Sequence, residues 1–205
     1  QLKYTWRELE RGKDGYEFGD IERDLAFLQS KGKKLFIQIQ DASFSPQFVP
    51  IPRYLVNEPE YNGGADKQYN ITGDDEDHAT TQGWVARRWD PAVRDRFHKL
   101  LLALGRQFDG KIEGINLPET AVDFGETGKL FPKGFTLEAY RDAVLTNMTV
   151  LKSAFPRSVA MQYANFMPGG RAYLQSVFKR ARELKVGVGG PDLLPFRPFQ
   201  MQNSY

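Results

Sequence analysis

Short continuous apolar runs alternate along the chain with stretches in which apolar residues recur every three or four positions. The first pattern suits buried strands and the second amphipathic helices. Leu2 to Thr5 predicts an opening strand. Asp20 then starts a helix with acids in its first turn and an apolar stripe at Ile21, Leu25 and Leu28, ended by Gly32. Leu35 to Gln40 predicts a second strand. Asp90-Pro91 marks another helix start, a capping Asp followed by Pro at the first helical position, and Val93, Phe97, Leu100, Leu101, Leu104 and Phe108 make its stripe. Ile112 to Leu117 predicts a third strand. Thr136 caps a helix with apolar positions at Leu137, Tyr140, Val144, Met148 and Leu151, which Pro156 stops. Val159 to Tyr163 reads as a strand, Arg171 to Lys185 as a helix, and Val186 to Val188 as a last short strand.

Five strands and four helices in strict alternation predict an α/β fold with parallel strands and right-handed crossovers. The expected class is a partial (β/α) TIM-type barrel. An open doubly wound sheet has the same periodicity, although no GxGxxG follows a strand, which disfavours its dinucleotide-binding version. From about 41 to 89 the periodicity lapses into a segment rich in Pro, Gly, Asn and Asp, which predicts one long irregular insertion. Insertions of that length are usually functional or mobile. The 205 residues predict a single domain over 1–205. It falls short of the about 250 residues that eight β/α units typically need.

Composition narrows the chemistry. The net charge of +2, with Lys and Arg dispersed among acids, gives no reason to expect a nucleic-acid or membrane partner. The run Lys31-Gly32-Lys33-Lys34 reads as cations at a helix end. The absence of cysteine excludes disulfides, thiolate zinc sites and cysteine nucleophiles. It leaves the compartment open, since an exported protein without disulfides fits equally well. No apolar run approaches the ~20 residues that span a bilayer. The chain opens at Gln1 without a Met, which predicts processing, trimming or numbering from an interior point. Asn70-Ile71-Thr72 and Asn147-Met148-Thr149 match the glycosylation sequon, the second inside a predicted helix. His78 and His98 stand apart from carboxylates at metal-ligand spacing, so no metal and no cofactor is expected. Asp74-Asp75-Glu76-Asp77 lacks the spacing of a calcium loop and reads as a solvated acidic turn.

Ligands of parallel α/β folds bind at the carboxyl ends of the strands. The residues just past each predicted strand are therefore the candidates: Trp6 and Glu8, then Gln40, Asp41 and Phe44, then Asn116 and Glu119, then Tyr163 and Asn165, then Asp192. Carboxylates, amides and aromatic rings at one rim suit a sugar, whose hydroxyls pair with planar polar groups and whose faces stack on rings. Each has a plainer reading. Strand-end Asp41 and Asp192 also suit local backbone capping, and Trp6 suits packing. Trp84 and Trp89 lie in or beside the insertion, where sugar platform and packing are both open. Glu119 directly follows a strand, where partial desolvation would raise a carboxyl group's pKa as a general acid requires.

Several of these motifs resemble one family. Trp6-Arg7-Glu8-Leu9-Glu10 followed by Gly15-Tyr16-Glu17-Phe18 is similar to the stretch after the second strand of clan A glycoside hydrolases, TIM-barrel glycosidases. Trp89-Asp90-Pro91 through Ile115-Asn116-Leu117-Pro118-Glu119 resembles their third helix and fourth strand. The resemblance implies that Glu119 is the acid/base, acting on β-linked oligo- or polysaccharide, with Trp6, Asp41, Trp84, Asn116, Tyr163, Asn165 and Asp192 around the sugar. In that clan the acid usually follows Asn directly, whereas here Leu117-Pro118 intervenes. The resemblance also implies that the chain runs from the second strand to the sixth, without the seventh, whose Glu is the clan's nucleophile. Glu126 and Asp123 are the carboxylates near Glu119 in sequence.

Three function classes follow as expectations. The first is a glycoside hydrolase. The second is a non-catalytic carbohydrate-binding or scaffold remnant of such a barrel. The third, an unrelated α/β enzyme with a phosphate substrate, is disfavoured because no glycine-rich loop opens a helix after a strand. An unclosed sheet invites edge pairing, so a homodimer completing the barrel is also expected.

Overall fold

The computed structural model describes residues 1–73 and 75–190. In chain order it runs β1 (Leu2–Thr5), α1 (Trp6–Leu9), β2 (Glu10–Gly12), β3 (Gly15–Tyr16), α2 (Gly19–Ser30) and β4 (Phe36–Gln40). Then come β5 (Ala42–Ser43), α3 (Arg53–Asn57), β6 (Ala65–Asn70) and β7 (Thr80–Ala86). The remainder is α4 (Pro91–Phe108), β8 (Gly114–Leu117), α5 (Leu137–Ala154), β9 (Val159–Tyr163), α6 (Gly170–Leu184) and β10 (Gly187–Gly189).

Five parallel strands form the main sheet in the order β1-β4-β8-β9-β10. The order follows the chain without reversal, and α4, α5 and α6 pack side by side. A doubly wound sheet reverses its strand order at a switch point and places helices on both faces, so the barrel-type reading is the one observed. Among the described residues β1 and β10 do not pair, so the sheet they bound is open rather than closed.

The two faces of the sheet are visible in Phe36-Ile37-Gln38-Ile39-Gln40. Ile37 and Ile39 are wholly buried in the core together with Ile115 and Leu117. Gln38 and Asn116, paired in register on β4 and β8, both receive the side-chain amide of Gln1 on the other face, at 3.2 and 2.5 Å. Helix α4 buries its whole expected stripe, and Asp90 caps it by accepting from the amides of Ala92 and Val93 at 2.9 and 3.3 Å. Thr136 caps α5 through the amide of Ala139 at 3.0 Å. The helices approach closely because residue 105 is glycine: a Cβ there would lie 2.3 Å from the carbonyl oxygen of Ala154. Asn147 of the second sequon is buried in α5 against His98 of α4.

The segment expected to be irregular is ordered. β5, β7 and β6 form a three-stranded antiparallel sheet. Its pattern was hidden for two reasons. A register shift between Gln68 and Tyr69 interrupts the alternation of β6, and β7 carries a glycine at its centre. Gly83 is required there, since a Cβ would sit 1.8 Å from the carbonyl oxygen of Ser43.

Trp6 is a correction to its sugar-contact assignment. It is fully buried, packs on Phe97 with ring centroids 5.1 Å apart, and donates its indole N–H to Glu10 at 2.8 Å. Glu10, also fully buried, accepts from Tyr54 Oη at 2.9 Å and pairs with Arg96. The Trp6-to-Glu10 motif therefore builds a core ion-pair network. Asp192 and Asp74 lie outside the described residues.

Candidate active site

β8 ends at Leu117, and Pro118 follows it, which delivers Glu119 and Thr120 to the carboxyl end of the sheet. This segment is laced to the one that follows β9. The amide of Thr120 donates to the carbonyl oxygen of Tyr163 at 3.1 Å, and its hydroxyl to that of Phe166 at 2.6 Å. Gln162 Nε2 donates to the carbonyl oxygen of Pro118 at 2.6 Å. Two consecutive strand ends are thereby held as one unit.

Glu119 is half-buried. Its Oε2 accepts from the side-chain amide of Asn165 at 2.5 Å. A carboxylate requires a donor there, so the Asn165 nitrogen faces Glu119 and Asn165 Oδ1 faces away. That oxygen is buried and has no partner. The backbone of Glu119 is fixed separately: Arg88 Nη1 donates to its carbonyl oxygen at 3.0 Å and to Tyr140 Oη at 2.6 Å. Tyr140 in turn donates to the carbonyl oxygen of Thr120 at 3.0 Å. Asp41, at the end of β4, grips Arg88 with both oxygens at 2.8 and 2.6 Å. Burial disfavours the Arg88 charge, but Asp41 and Tyr140 outweigh it and hold the guanidinium protonated above its usual range. Burial, ahead of the opposing pull of Arg88, pushes the Tyr140 hydroxyl up to about 12, so it stays a neutral donor.

Asn165 and Ala121, but not Glu119 itself, line a cleft of about 990 Å³. One wall comes from the insertion through Phe44, Gln68 and Gln82, and another from Val122 to Glu126 after β8. The segment from Asn165 through Arg171 forms the third wall. The first two walls are fastened together. Glu76, in the β6–β7 connection, accepts from the amides of Glu126 and Thr127 at 2.7 and 2.9 Å and from the Thr127 hydroxyl at 2.6 Å. These donors, the Thr127 hydroxyl foremost, hold the Glu76 carboxyl below its usual range. The amide of Tyr69 also donates to the carbonyl oxygen of Asp123 at 3.0 Å. Beneath the cleft Trp89 packs edge-on against Phe124 and Phe135, which assigns it to packing.

Of the residues expected around a sugar, Glu119 and Asn165 are brought together, with Asn165 lining the cleft. Asp41 is engaged through Arg88 behind Glu119, consistent with the plainer of its two readings. Asn116 is buried on the sheet's polar face, and Tyr163 Oη donates to Gln1 Oε1 at 3.0 Å. Trp84 donates its indole N–H to the carbonyl oxygen of Pro46 at 2.8 Å, away from the cleft lining. Asp123 and Glu126 are the carboxylates that line the cleft among the described residues. Sequence reading missed Arg88, Tyr140 and Thr120. The available signal was the doublet Arg87-Arg88 closing an insertion otherwise rich in turn residues.

The sequence matches no protein-family model and no curated protein. Among solved structures, the catalytic domain of β-amylase from Paenibacillus polymyxa is similar with a TM-score of 0.61 and 8% identity, over 91% of this chain and 67% of that one. Xylanase XynB from Paenibacillus barcinonensis is similar with a TM-score of 0.51 and 12% identity, over 92% of this chain and 48% of its own. The chain thus spans about two thirds of the one and about half of the other. The central sheet and these likenesses together give the fold: an α/β parallel sheet of the TIM-barrel kind, in an unclosed form.

Proposed function

We propose that the chain is a glycoside hydrolase acting on β-linked carbohydrate, with Glu119 as general acid/base. The observation that carries this reading is the double anchoring of one carboxylate. Asn165 holds the Glu119 side chain and Arg88 holds its backbone, at the carboxyl end of a parallel sheet, and Asn165 itself lines a cleft. A general acid needs such placement, because proton transfer requires hydrogen-bond reach to the departing oxygen. Glu119 gives its proton to the glycosidic oxygen as that oxygen's bond to the anomeric carbon breaks, and recovers one from the water that completes hydrolysis. A second carboxylate assists at the anomeric carbon. Asp123 and Glu126, both exposed and both lining the cleft, are the candidates for that role. The printed activities of the two similar enzymes, an amylase and a xylanase, agree with a carbohydrate substrate.

The test is hydrolysis of a panel of β-linked oligosaccharides by the chain and by Glu119→Gln. The amide should lower the rate by roughly 10²–10⁴-fold, the usual worth of general acid/base help. Unchanged activity in the variant removes Glu119 from the reaction. Sugar binding without hydrolysis in either protein supports instead a carbohydrate-binding remnant. That second reading is favoured by the confinement of Asp41 in an ion pair, which removes one carboxylate from the sheet's end.

β1 and β10 are the outer strands of the described sheet. Unpaired strand edges template association, so we extend the proposal to a homodimer, which a light-scattering mass of one chain in a folded sample refutes.

A further inference from the structure

We propose that Glu76 is a latch on the cleft: its carboxylate, seated on the Gly125–Thr127 segment, holds the insertion against the wall that follows β8, and its release parts the two. Such a latch serves any ligand of the cleft, so it stands apart from the glycosidase reading. The contact is a shaped seat. Glu76 accepts three hydrogen bonds from the far wall, two from the amides of Glu126 and Thr127 and one from the Thr127 hydroxyl. A carboxylate that collects three donors is held more specifically than an exposed ion pair. Gly125 completes the seat at φ +71°, and a Cβ there would collide with the Glu76 carboxylate. Lys129 pairs with Asp77 across the same gap.

Both sides of this contact are otherwise loosely held. None of the described residues from 71 to 79 is buried, and none is buried from 125 to 130. Firm anchors lie just outside: Phe124 packs edge-on against Trp89, and β6 pairs with β7 as far as Asn70 and Thr80. Segments that bury little apolar surface open at far lower cost than a core, and binding-site lids are drawn from that class. The cleft takes its lining from both sides, Gln68 and Gln82 from the insertion and Asp123 to Glu126 from the wall. Parting them therefore reshapes the cleft itself.

One further bond spans the gap without Glu76. The Tyr69 amide donates to the carbonyl oxygen of Asp123 at 3.0 Å. With Glu76 released, that bond and the Lys129–Asp77 pair are left to hold the walls among the described residues. Both members of the pair are exposed, and exposed pairs contribute little. The Tyr69 bond should therefore open when the latch does.

Amide hydrogen exchange on the whole chain tests this, with Glu76→Ala and Thr127→Val weakening the latch from opposite sides. Loss of protection at Glu126 and Thr127 follows from the missing acceptor alone, so the Tyr69 amide is the reporter. Its protection should fall roughly ten- to a hundredfold in Glu76→Ala, the worth of a hydrogen bond to a charged group. Thr127→Val should act in the same direction, and the amides of α4 and α5 should stay protected in both, as an intact fold requires. The dye anilinonaphthalenesulfonate reports the cleft: its fluorescence should rise in Glu76→Ala as the phenylalanine lining is uncovered. Because the chain has no cysteine, Asp77→Cys with Lys129→Cys, joined by a short bismaleimide, ties the walls without Glu76. In the Glu76→Ala background that tether should restore Tyr69 protection and remove the added dye signal. Unchanged Tyr69 protection in Glu76→Ala overturns the inference, because the walls then stay together without the carboxylate. So does lost protection with no gain in dye binding, and so does a loss that the tether leaves in place.

Discussion

Arg88 Nη1 donates to the carbonyl oxygen of Glu119 at 3.0 Å, while the same guanidinium is gripped from behind by both oxygens of Asp41. The candidate acid thus has its backbone fastened to a buried ion pair, and the ion pair spans the insertion and the main sheet. Removing one partner of such a pair leaves an uncompensated charge, which costs about 3–5 kcal/mol. Arg88→Met should therefore lower unfolding free energy by that order in urea titration. Arg88→Met combined with Asp41→Leu should recover part of the loss, because no charge is then stranded. A loss under about 1 kcal/mol for the single variant would place the pair in a far more hydrated setting than the geometry indicates.

Asn165 acts on the other end of Glu119. Asn165→Ala removes the donor to Oε2 and opens water access to the carboxylate. Hydrogen bonds to charged groups contribute about 1.5–3 kcal/mol, so kcat/KM for hydrolysis should fall roughly ten- to a hundredfold. The effect should be larger on kcat than on KM, since the bond orients the acid rather than the ground-state sugar. Unchanged steady-state kinetics would separate Asn165 from the reaction.

The repeating units were legible because each rule was local. The caps Asp90 and Thr136 and the stripe on α4 occur where expected, since a cap and a helix period depend on neighbouring residues alone. The insertion was not legible, because β5 is very short and lies far in sequence from its partner β7, while the register shift in β6 and the glycine in β7 break the alternation of the hairpin they form. Polar alternation with a central Gly83 looks like a loop until the Ser43 backbone that demands the glycine is in place. Glu119 was singled out as a candidate by its position after a strand. Arg88 and Tyr140 were not, because a buried arginine is identified by partners brought together only on folding: Asp41, Tyr140 and the Glu119 carbonyl. Trp6 was misread for a related reason. Strand-end tryptophans serve sugar stacking and packing alike, and only the fully buried Glu10 decides between them.

The buried Trp6–Glu10 contact makes its own prediction. Trp6→Phe retains most of the ring's packing on Phe97 but strips one donor from a carboxylate that is wholly inaccessible to water. Stability should drop by about 1–3 kcal/mol through the unmet acceptor, seen as a lower urea midpoint with little change in slope. Sugar affinity should not change. Weakened carbohydrate binding at full stability would restore Trp6 as a stacking platform.

His98 gives the fold a pH dependence on the acid side. The ring lies half-buried between α4 and α5, with Nε2 2.8 Å from Asn147 Oδ1. Burial is the main cause that holds its pKa below the ordinary 6.5, assisted by Arg94 and opposed by Asn147 and Asp95. The unfolded chain therefore binds this proton more readily than the folded one. Its contribution to stability is present above pH 6.5 and is lost as pH falls through the depressed folded value. His98→Gln keeps a side-chain amide to donate to Asn147 and has no proton to gain. Urea midpoints measured from about pH 8 down to about pH 5, the range in which histidine charges, should fall more steeply for the native chain than for the variant. The carboxylates common to both proteins cancel in that difference. Parallel profiles would mean that the imidazole titrates alike in the folded and unfolded states, and that Asn147 and Asp95 offset the burial.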